Sequence, residues 1–361
     1  MLNKLILQGS AKEIGRKHGH QGKQQVLRSL ETYEKLFYGY QQIDWKEAKE
    51  RALAHVKAIE KYDSELIEEM HGIAEGAGVD FEDILALNAR SEIALGSYSG
   101  QGFSDGCTAI ATFQPVSNDV IIGQNWDWKA EQKKSLLLLE IHQKNKPVVT
   151  MVTEGGIIGK IGFNSAGVGL CFNALLTDKK SNDVPIHLGL RGVLDSYTLP
   201  EAISKIKDGQ IAATASFVIG KADDDGSGMA VNAEVSPFGI DIVSGTEGLL
   251  VHTNHIKSRF LKENLQDMNE FIYDGSMMRY MRAKQLVNIA ISENENITEA
   301  TYQDWLADEF NAPEAINHFE NEKTPEHRRM ETVFSIAMNL SKRRTYLCVG
   351  MPSEGEYKKI D

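Results

Sequence analysis

The chain has 361 residues, with 39 basic and 51 acidic side chains and a net charge of −12. That length can bury a sizeable core in one large domain or two, and the acidic balance, without a clustered basic face, argues against nucleic acid or an anionic membrane as partner. The three cysteines, Cys107, Cys171 and Cys348, have neither paired nor metal-like spacing, so no disulfide framework, metal or cofactor is expected. The apolar run near Met1 is too short for a signal peptide and no stretch is long enough to span a bilayer, so a cytoplasmic location is expected.

Leu5-Ile6-Leu7 reads as a short strand. It runs into Ser10-Ala11-Lys12-Glu13, a serine followed three residues later by glutamate, which is the pattern of a capping box. Helix is expected from about Ala11 to Phe37 and from about Trp45 to Ile59. His18, His20, His55 and His71 fall on or beside these helices without ligand spacing and are expected on polar faces. The apolar period of Leu66, Ile67, Met70, Ile73 and Ala74 predicts a helix from Ser64 to Glu75, ended by Gly76-Ala77-Gly78. A further helix is expected over Phe81–Ile93, then a glycine- and serine-rich bridge from Gly96 to Ser104.

After Ser104-Asp105-Gly106-Cys107-Thr108 the character changes to strand and turn. Thr108–Phe113 and Val120–Asn125 read as a hairpin. More strands are expected at Leu136–Ile141, Val148–Thr153, Ile157–Phe163, Val168–Phe172, Ala215–Ile219, Ala230–Val235, Ile240–Ser244, Thr332–Asn339 and Thr345–Val349. Helices are expected at Leu188–Leu194, Leu199–Ile206 and Arg279–Ile291. Blocks of strands and helices in this order predict a layered α+β or sandwich arrangement.

A lone cysteine is ordinarily a buried thiol. Cys107 is set apart by its place after Asp105-Gly106 at the head of a strand, where a missing Cβ lets another group approach the preceding carbonyl. Downstream lie compact polar motifs: Gly123-Gln124-Asn125-Trp126-Asp127-Trp128, Gly162-Phe163-Asn164-Ser165-Ala166-Gly167, Phe172-Asn173-Ala174 and His252-Thr253-Asn254-His255. Asparagine is depleted in strands, and its recurrence beside them suits an oxyanion-stabilising site. Cys171 and Cys348 lie in apolar strand contexts and are expected to be inert.

Gly9-Ser10-Ala11-Lys12-Glu13-Ile14-Gly15-Arg16, Gly72-Ile73-Ala74-Glu75-Gly76-Ala77-Gly78, Asp105-Gly106-Cys107-Thr108, Gly123-Gln124-Asn125-Trp126-Asp127, the Gly162–Gly167 motif and His252-Thr253-Asn254-His255 together resemble, in order over nearly the whole chain, the acyl-coenzyme A:6-aminopenicillanic acid acyltransferase family of N-terminal-nucleophile (Ntn) hydrolases. The resemblance implies a four-layer αββα sandwich with a helical N-terminal segment. It also implies self-cleavage between Gly106 and Cys107, giving a small subunit (1–106) and a large one (107–361) within one integrated unit. The freed α-amine, with an ordinary pKa of about 8, would serve Cys107 as its own base. By the same resemblance Asp127 would orient that amine, Asn254 and Asn173 would supply oxyanion donors, and Arg329 would stabilise a thiolate or bind a substrate carboxylate. Trp126 and Trp128 would line an acyl pocket or else belong to the core. The bile salt hydrolase branch carries arginine where this chain has Gln124, which implies the acyltransferase branch.

The expected activity is cleavage of the C–N bond of an N-acylated small molecule through a thioester on Cys107, with water or an amine as acceptor. The expected partners are that substrate and the chain's own N-terminal segment. Three rival readings are an acyl-coenzyme A-dependent N-acyltransferase, an uncleaved cysteine hydrolase with His252 or His255 as base, and an inactive binding protein on the same fold.

Overall fold

The computed structural model describes residues 2–94, 106–207, 209–243 and 247–360. The expected bridge from Gly96 to Ser104 lies outside them. Strand β1 (Asn3–Gly9) leads into helices α1 (Ala11–Gln21), α2 (Lys23–Gln41), α3 (Trp45–Leu53), α4 (Val56–Ala77), α5 (Phe81–Asn88) and α6 (Arg90–Ala94). The capping box is formed: Glu13 N donates to Ser10 Oγ at 3.4 Å, and Ser10 N donates to Glu13 Oε2 at 2.8 Å. The single helix expected over 11–37 is divided at Gly22. The helix start expected at Ser64 is a kink inside α4, where Asp63 leaves helical geometry (φ −163°, ψ 103°) and its carboxylate accepts from Glu65 N. A side chain competing for the backbone in this way is how a short acidic residue restarts a helix.

The glycines of the N-terminal motifs have a packing role. A Cβ on Gly15 would lie 1.9 Å from Glu69 O, on Gly19 2.1 Å from Ile73 O, on Gly72 2.2 Å from Lys12 O, and on Gly76 2.2 Å from Arg16 O. Helices α1 and α4 therefore meet backbone to backbone, each presenting two glycines one turn apart. Gly72→Ala is expected to push the pair apart and lower stability by about 1–3 kcal/mol, read as a shifted denaturant midpoint.

From Cys107 onward come strands β2 (Thr108–Thr112), β3 (Ile121–Trp128), β4 (Leu136–Gln143), β5 (Val149–Glu154), β6 (Ile161–Asn164) and β7 (Val168–Ala174), then helices α7 (Ile186–Leu194) and α8 (Leu199–Ser204). Strands β8 (Ala215–Ala222), β9 (Gly228–Ser236), β10 (Gly239–Val243) and β11 (Leu249–His252) follow. Helices α9 (Arg259–Asn264), α10 (Met277–Ser292) and α11 (Glu299–Leu306) precede β12 (Glu331–Asn339), β13 (Arg344–Val349) and β14 (Lys358–Ile360).

The strands form two sheets, in the orders β1-β4-β5-β6-β7-β8-β9-β10 and β11-β2-β3-β12-β13-β14. They pack face to face through β2, β3 and β11 against β7, β8 and β9. Helices α1, α2, α7 and α8 lie on the eight-stranded sheet, and α10 and α11 on the six-stranded one. The chain is thus an α+β protein with a four-layer αββα sandwich. Its N-terminal segment is built into the sandwich, since β1 pairs in parallel with β4.

Two histidines expected on polar faces are buried instead. His18 Nε2 accepts from Gly156 N, and burial pulls its pKa down to about 4. His55 Nδ1 bonds Asp183 O at 2.7 Å. Each ties a helix to the sandwich, a tertiary demand that helical period alone does not encode. His20 and His71 are exposed.

Candidate active site

The register of β2 on β3 pairs Thr108 with Asn125, so one step further Cys107 stands opposite Trp126 and Gly106 opposite Asp127. A Cβ on Gly106 would lie 2.6 Å from Asp127 Oδ2. The carboxylate thus fills the space a side chain would need, and only glycine fits before the cysteine. Alternation along the two strands sorts the side chains by face. Cys107, Ala109, Gln124, Trp126 and Trp128 turn toward the interior between the sheets, while Thr108, Asn125 and Asp127 turn toward α10 and α11.

Cys107 is 1% exposed. The group brought to its backbone is Arg279, on the first turn of α10 and itself buried. Arg279 Nη1 donates to Gly106 O at 2.5 Å, to Cys107 O at 2.6 Å and to Thr108 Oγ1 at 3.0 Å. Its Nη2 donates to Asn254 Oδ1 at 3.0 Å, which joins the His252-Thr253-Asn254-His255 turn to the same guanidinium. That turn is fastened to the start of α10 through Ser276, whose hydroxyl accepts from Asn254 N at 2.8 Å and bonds His255 Nδ1 at 2.8 Å.

Asn254 Nδ2 donates to Ala174 O at 3.2 Å, the residue after Asn173. Asn173 is fully buried, and its side-chain amide has no hydrogen-bond partner among the described residues. A buried amide without a partner is costly and needs an explanation, and an uncommitted N–H beside Asn254 is what an oxyanion would use. Asp127 Oδ1 accepts from Thr332 Oγ1 at 2.7 Å. Cys107, Gly106, Asp127, Asn254 and Asn173 thus cluster through β2, β3, the end of β7 and the turn after β11.

Other asparagines and glutamines of the polar motifs are structural. Asn125 Nδ2 donates to Leu306 O and Ile316 O, fixing the α11 region on the six-stranded sheet. Asn164 Nδ2 holds Leu194 O and Ser196 O. Gln124 Nε2 donates to Phe172 O and its Oε1 accepts from Phe172 N at 2.7 Å. The β6–β7 ladder pairs Gly162 with Leu170 and stops short of Phe172, so the Gln124 amide completes it from the opposite sheet.

Arg329 lies apart from this cluster. Its side chain donates to Thr324 O and Glu322 O, and it lines a small cleft with Glu314 and His318. The charge of Arg279 is felt at both Glu314 and His318, lowering the pKa of the first against burial and of the second along with it, while Arg329 is held by the carbonyls of its own loop. His252 has both ring nitrogens engaged, Nε2 with Glu234 Oε1 and Nδ1 with Thr253 O, each at 2.7 Å. Burial takes the His255 pKa down to about 3 and raises those of the Cys171 and Cys348 thiols.

On the interior face, Trp126 packs on Phe334 with ring centroids 5.4 Å apart. The Lys160 ammonium sits 3.3 Å above the Trp126 ring, and the Arg90 guanidinium 5.2 Å above Trp128. Lys160 and Arg90 converge on the buried carboxylate of Glu154, which also accepts from the Tyr33 hydroxyl and from Gln132 Nε2. Burial opposes the Glu154 charge, but Arg90 and Lys160 outweigh it and hold the pKa below the usual carboxylate value. Among the described residues no group of three or more His, Cys, Asp or Glu could hold a metal ion, and no helix is long and apolar enough to cross a membrane.

Arg279 and Lys160 escaped the sequence reading, although each leaves a trace. Arg279 is in phase with Ala283, Val287 and Ala290 on the buried stripe of α10, while Arg282 is off it. Lys160 is the lone charge in Ile157-Ile158-Gly159-Lys160-Ile161-Gly162-Phe163.

Solved structures similar to the chain include a mutant of the conjugated bile acid hydrolase from Clostridium perfringens (12% identity, 71% of this chain and 96% of that one, TM-score 0.44) and the penicillin V acylase from Agrobacterium tumefaciens (14% identity, 67% and 83%, TM-score 0.45). The acyl-coenzyme A:6-aminopenicillanic-acid-acyltransferase 40 kDa form of Emericella nidulans is 32% identical over 349 residues, 96% of this chain and 92% of the relative. The model of the acyl-coenzyme A:6-aminopenicillanic acid acyl-transferase family matches residues 115–354. With Asp127, Asn173 and Asn254 inside that span and Cys107 just ahead of it, the chain belongs to the acyl-coenzyme A:6-aminopenicillanic acid acyltransferase family.

Proposed function

We propose that the chain is a self-processing cysteine amidohydrolase/acyltransferase acting on an N-acylated small molecule. The observation that carries this reading is the bond from Arg279 Nη1 to Gly106 O, the oxygen of the peptide that Cys107 would attack. A cationic donor on that oxygen polarises the carbonyl and stabilises the tetrahedral oxyanion. Sulfur attack on the Gly106 carbonyl carbon forms a thioester and frees the Cys107 nitrogen. Water then releases residues 1–106 as a subunit held by the β1–β4 pairing.

In the processed enzyme the Cys107 α-amine takes the thiol proton, as an amine with an ordinary pKa of about 8 can do near neutral pH. Asp127, pressed against Gly106, stands where it can hold that amine once the peptide is cut. Asn254 and Asn173 supply oxyanion donors, and Arg279, left in place, can do so too. Trp126 and Trp128 give the interior face beside the thiol an aromatic lining, while Arg329, committed to its own loop, is left out of this scheme. The thioester passes to water, giving hydrolysis, or to an amine, giving acyl transfer.

The test is a panel of N-acyl amides incubated with processed protein and read by intact mass. An acyl adduct on Cys107, formed and lost at the turnover rate, is expected. No adduct and no turnover across the panel would favour an inactive binding protein instead. A second reading has a specific basis, since the Emericella relative is named for an acyl-coenzyme A donor. Acylation of Cys107 by acyl-coenzyme A, but not by amides, would select that reading.

A further inference from the structure

Self-cleavage poses a problem that the processed enzyme does not have. Before the cut, the nitrogen of Cys107 is an amide and cannot act as a base, yet the thiol proton has to leave for sulfur to attack. The histidines are poorly suited to take it. His252 is engaged on both nitrogens, and His255 is held by Ser276.

On the interior face of β2 and β3 the described residues include two basic side chains, Arg90 over Trp128 and Lys160 over Trp126, of which a lysine can give up its proton and an arginine cannot. Lys160, at the start of β6, is fully buried, and its nitrogen lies over the ring of Trp126 at 3.3 Å. Trp126 is the residue opposite Cys107, on the same face of the sheet. The two lie close enough for a negative charge on Cys107 to be felt at Lys160, where it raises the lysine pKa. We propose that Lys160 is the base of the self-cleavage step, taking the Cys107 thiol proton directly or through one water in the uncut chain. This rests on the self-processing reading above.

The protons balance. Neutral Lys160 takes the thiol proton, and sulfur bonds to the Gly106 carbonyl carbon, whose oxygen is held by Arg279. As the C–N bond breaks, the Lys160 ammonium returns the proton to the departing nitrogen. Thioester and free amine result, and Lys160 is again neutral. Hydrolysis of the thioester regenerates the thiol and leaves Gly106 as a carboxylate.

The surroundings suit this role. The groups facing Lys160 are Glu154 on β5, Arg90 on α6, Tyr33 on α2, His187 on α7 and Cys107 itself. Burial lowers the lysine pKa most, Glu154 pulls it back up and Arg90 pushes it down, leaving it at about 7. His187 is held well below its usual pKa by burial and by these two cations, and so stays neutral. A neutral amine can keep an N–H on Glu154 while its lone pair accepts a proton.

The test follows cleavage of freshly refolded full-length chain by intact mass from about pH 5.5 to 9, with near-UV circular dichroism as the folding control. In wild type the rate should rise through about pH 7. Lys160→Met should slow cleavage roughly 10²–10⁴-fold, the range for a lost general base, and displace the rise toward the thiol's own ionisation at higher pH. Lys160→Arg keeps the cation over Trp126 and at Glu154 but cannot accept a proton, so it should be as slow as Lys160→Met. Because Lys160→Arg preserves the buried charge, it decides the matter if Lys160→Met fails to fold. Wild-type rate and pH profile in either folded variant would overturn the proposal while leaving self-processing intact. Absence of cleavage in wild type would instead strike at the self-processing reading itself.

Discussion

Cys107→Ala is expected to remain one chain of 361 residues under conditions in which wild type divides, and to form no acyl adduct with any amide. The effect is complete because one atom serves both reactions. The sulfur attacks the Gly106 carbonyl in the precursor and the substrate carbonyl afterwards, and no neighbouring side chain can replace it. Cys171 and Cys348 are buried thiols pushed up in pKa, away from the thiolate form that attacks. The substitution should cost little stability, about 1 kcal/mol, since alanine keeps the Cβ in the main apolar cluster. A folded but uncut and inactive protein, with a thermal midpoint near that of wild type, is the combination that separates lost chemistry from lost fold.

Arg279→Met should slow cleavage by roughly 10²–10³-fold, the loss seen when an oxyanion donor is removed, equivalent to about 3–4 kcal/mol. Its Nη1 bonds both the carbonyl under attack and the next one, and its Nη2 fixes Asn254. Methionine fills much of the same space but leaves buried oxygens without a donor, so stability should also fall, by about 1–3 kcal/mol per orphaned group. Arg279→Lys separates the two contributions. A lysine restores a cation near Gly106 O but lacks the second branch, so cleavage should recover in part while Asn254 stays released. If Arg279→Met is folded and cleaves at the wild-type rate, the guanidinium only braces the turn.

Much of the fold was legible because it is written in local pattern. The capping box at Ser10, the hairpin of β2 and β3, the strands of β12 and β13 and the helix α10 all fall within a few residues of expectation. Helix breaks at Gly22 and Ala89, the short strand β11 and the helix α11 did not stand out, since their geometry answers to packing across the sandwich. The parallel pairing of β1 with β4 joins segments more than a hundred residues apart and has no local sign.

The residues of the candidate site that stood out in the sequence, Cys107, Gly106 and Asn254 of the His-Thr-Asn-His turn, did so because each sits in a compact motif. Its charged partners were not. Arg279 and Lys160 come from separate elements and acquire meaning only when α10 lies across one face of β2 and the start of β6 faces the other. Arg329 looked suitable from its place before β12, yet its guanidinium binds its own loop while Arg279 reaches the cysteine. Gln124, singled out because the bile salt hydrolase branch has arginine there, turns out to mend an unfinished strand ladder.

The central claim is that the peptide between Gly106 and Cys107 is a bond the protein cuts by itself. Intact mass with N-terminal sequencing of purified wild-type protein, followed over time after refolding without other proteins, tests it most directly. The account expects two fragments that stay associated, the larger beginning with Cys107 and the smaller ending at Gly106. A single chain that still begins at Met1 after long incubation, in protein that turns over an N-acyl amide at full rate, would contradict it.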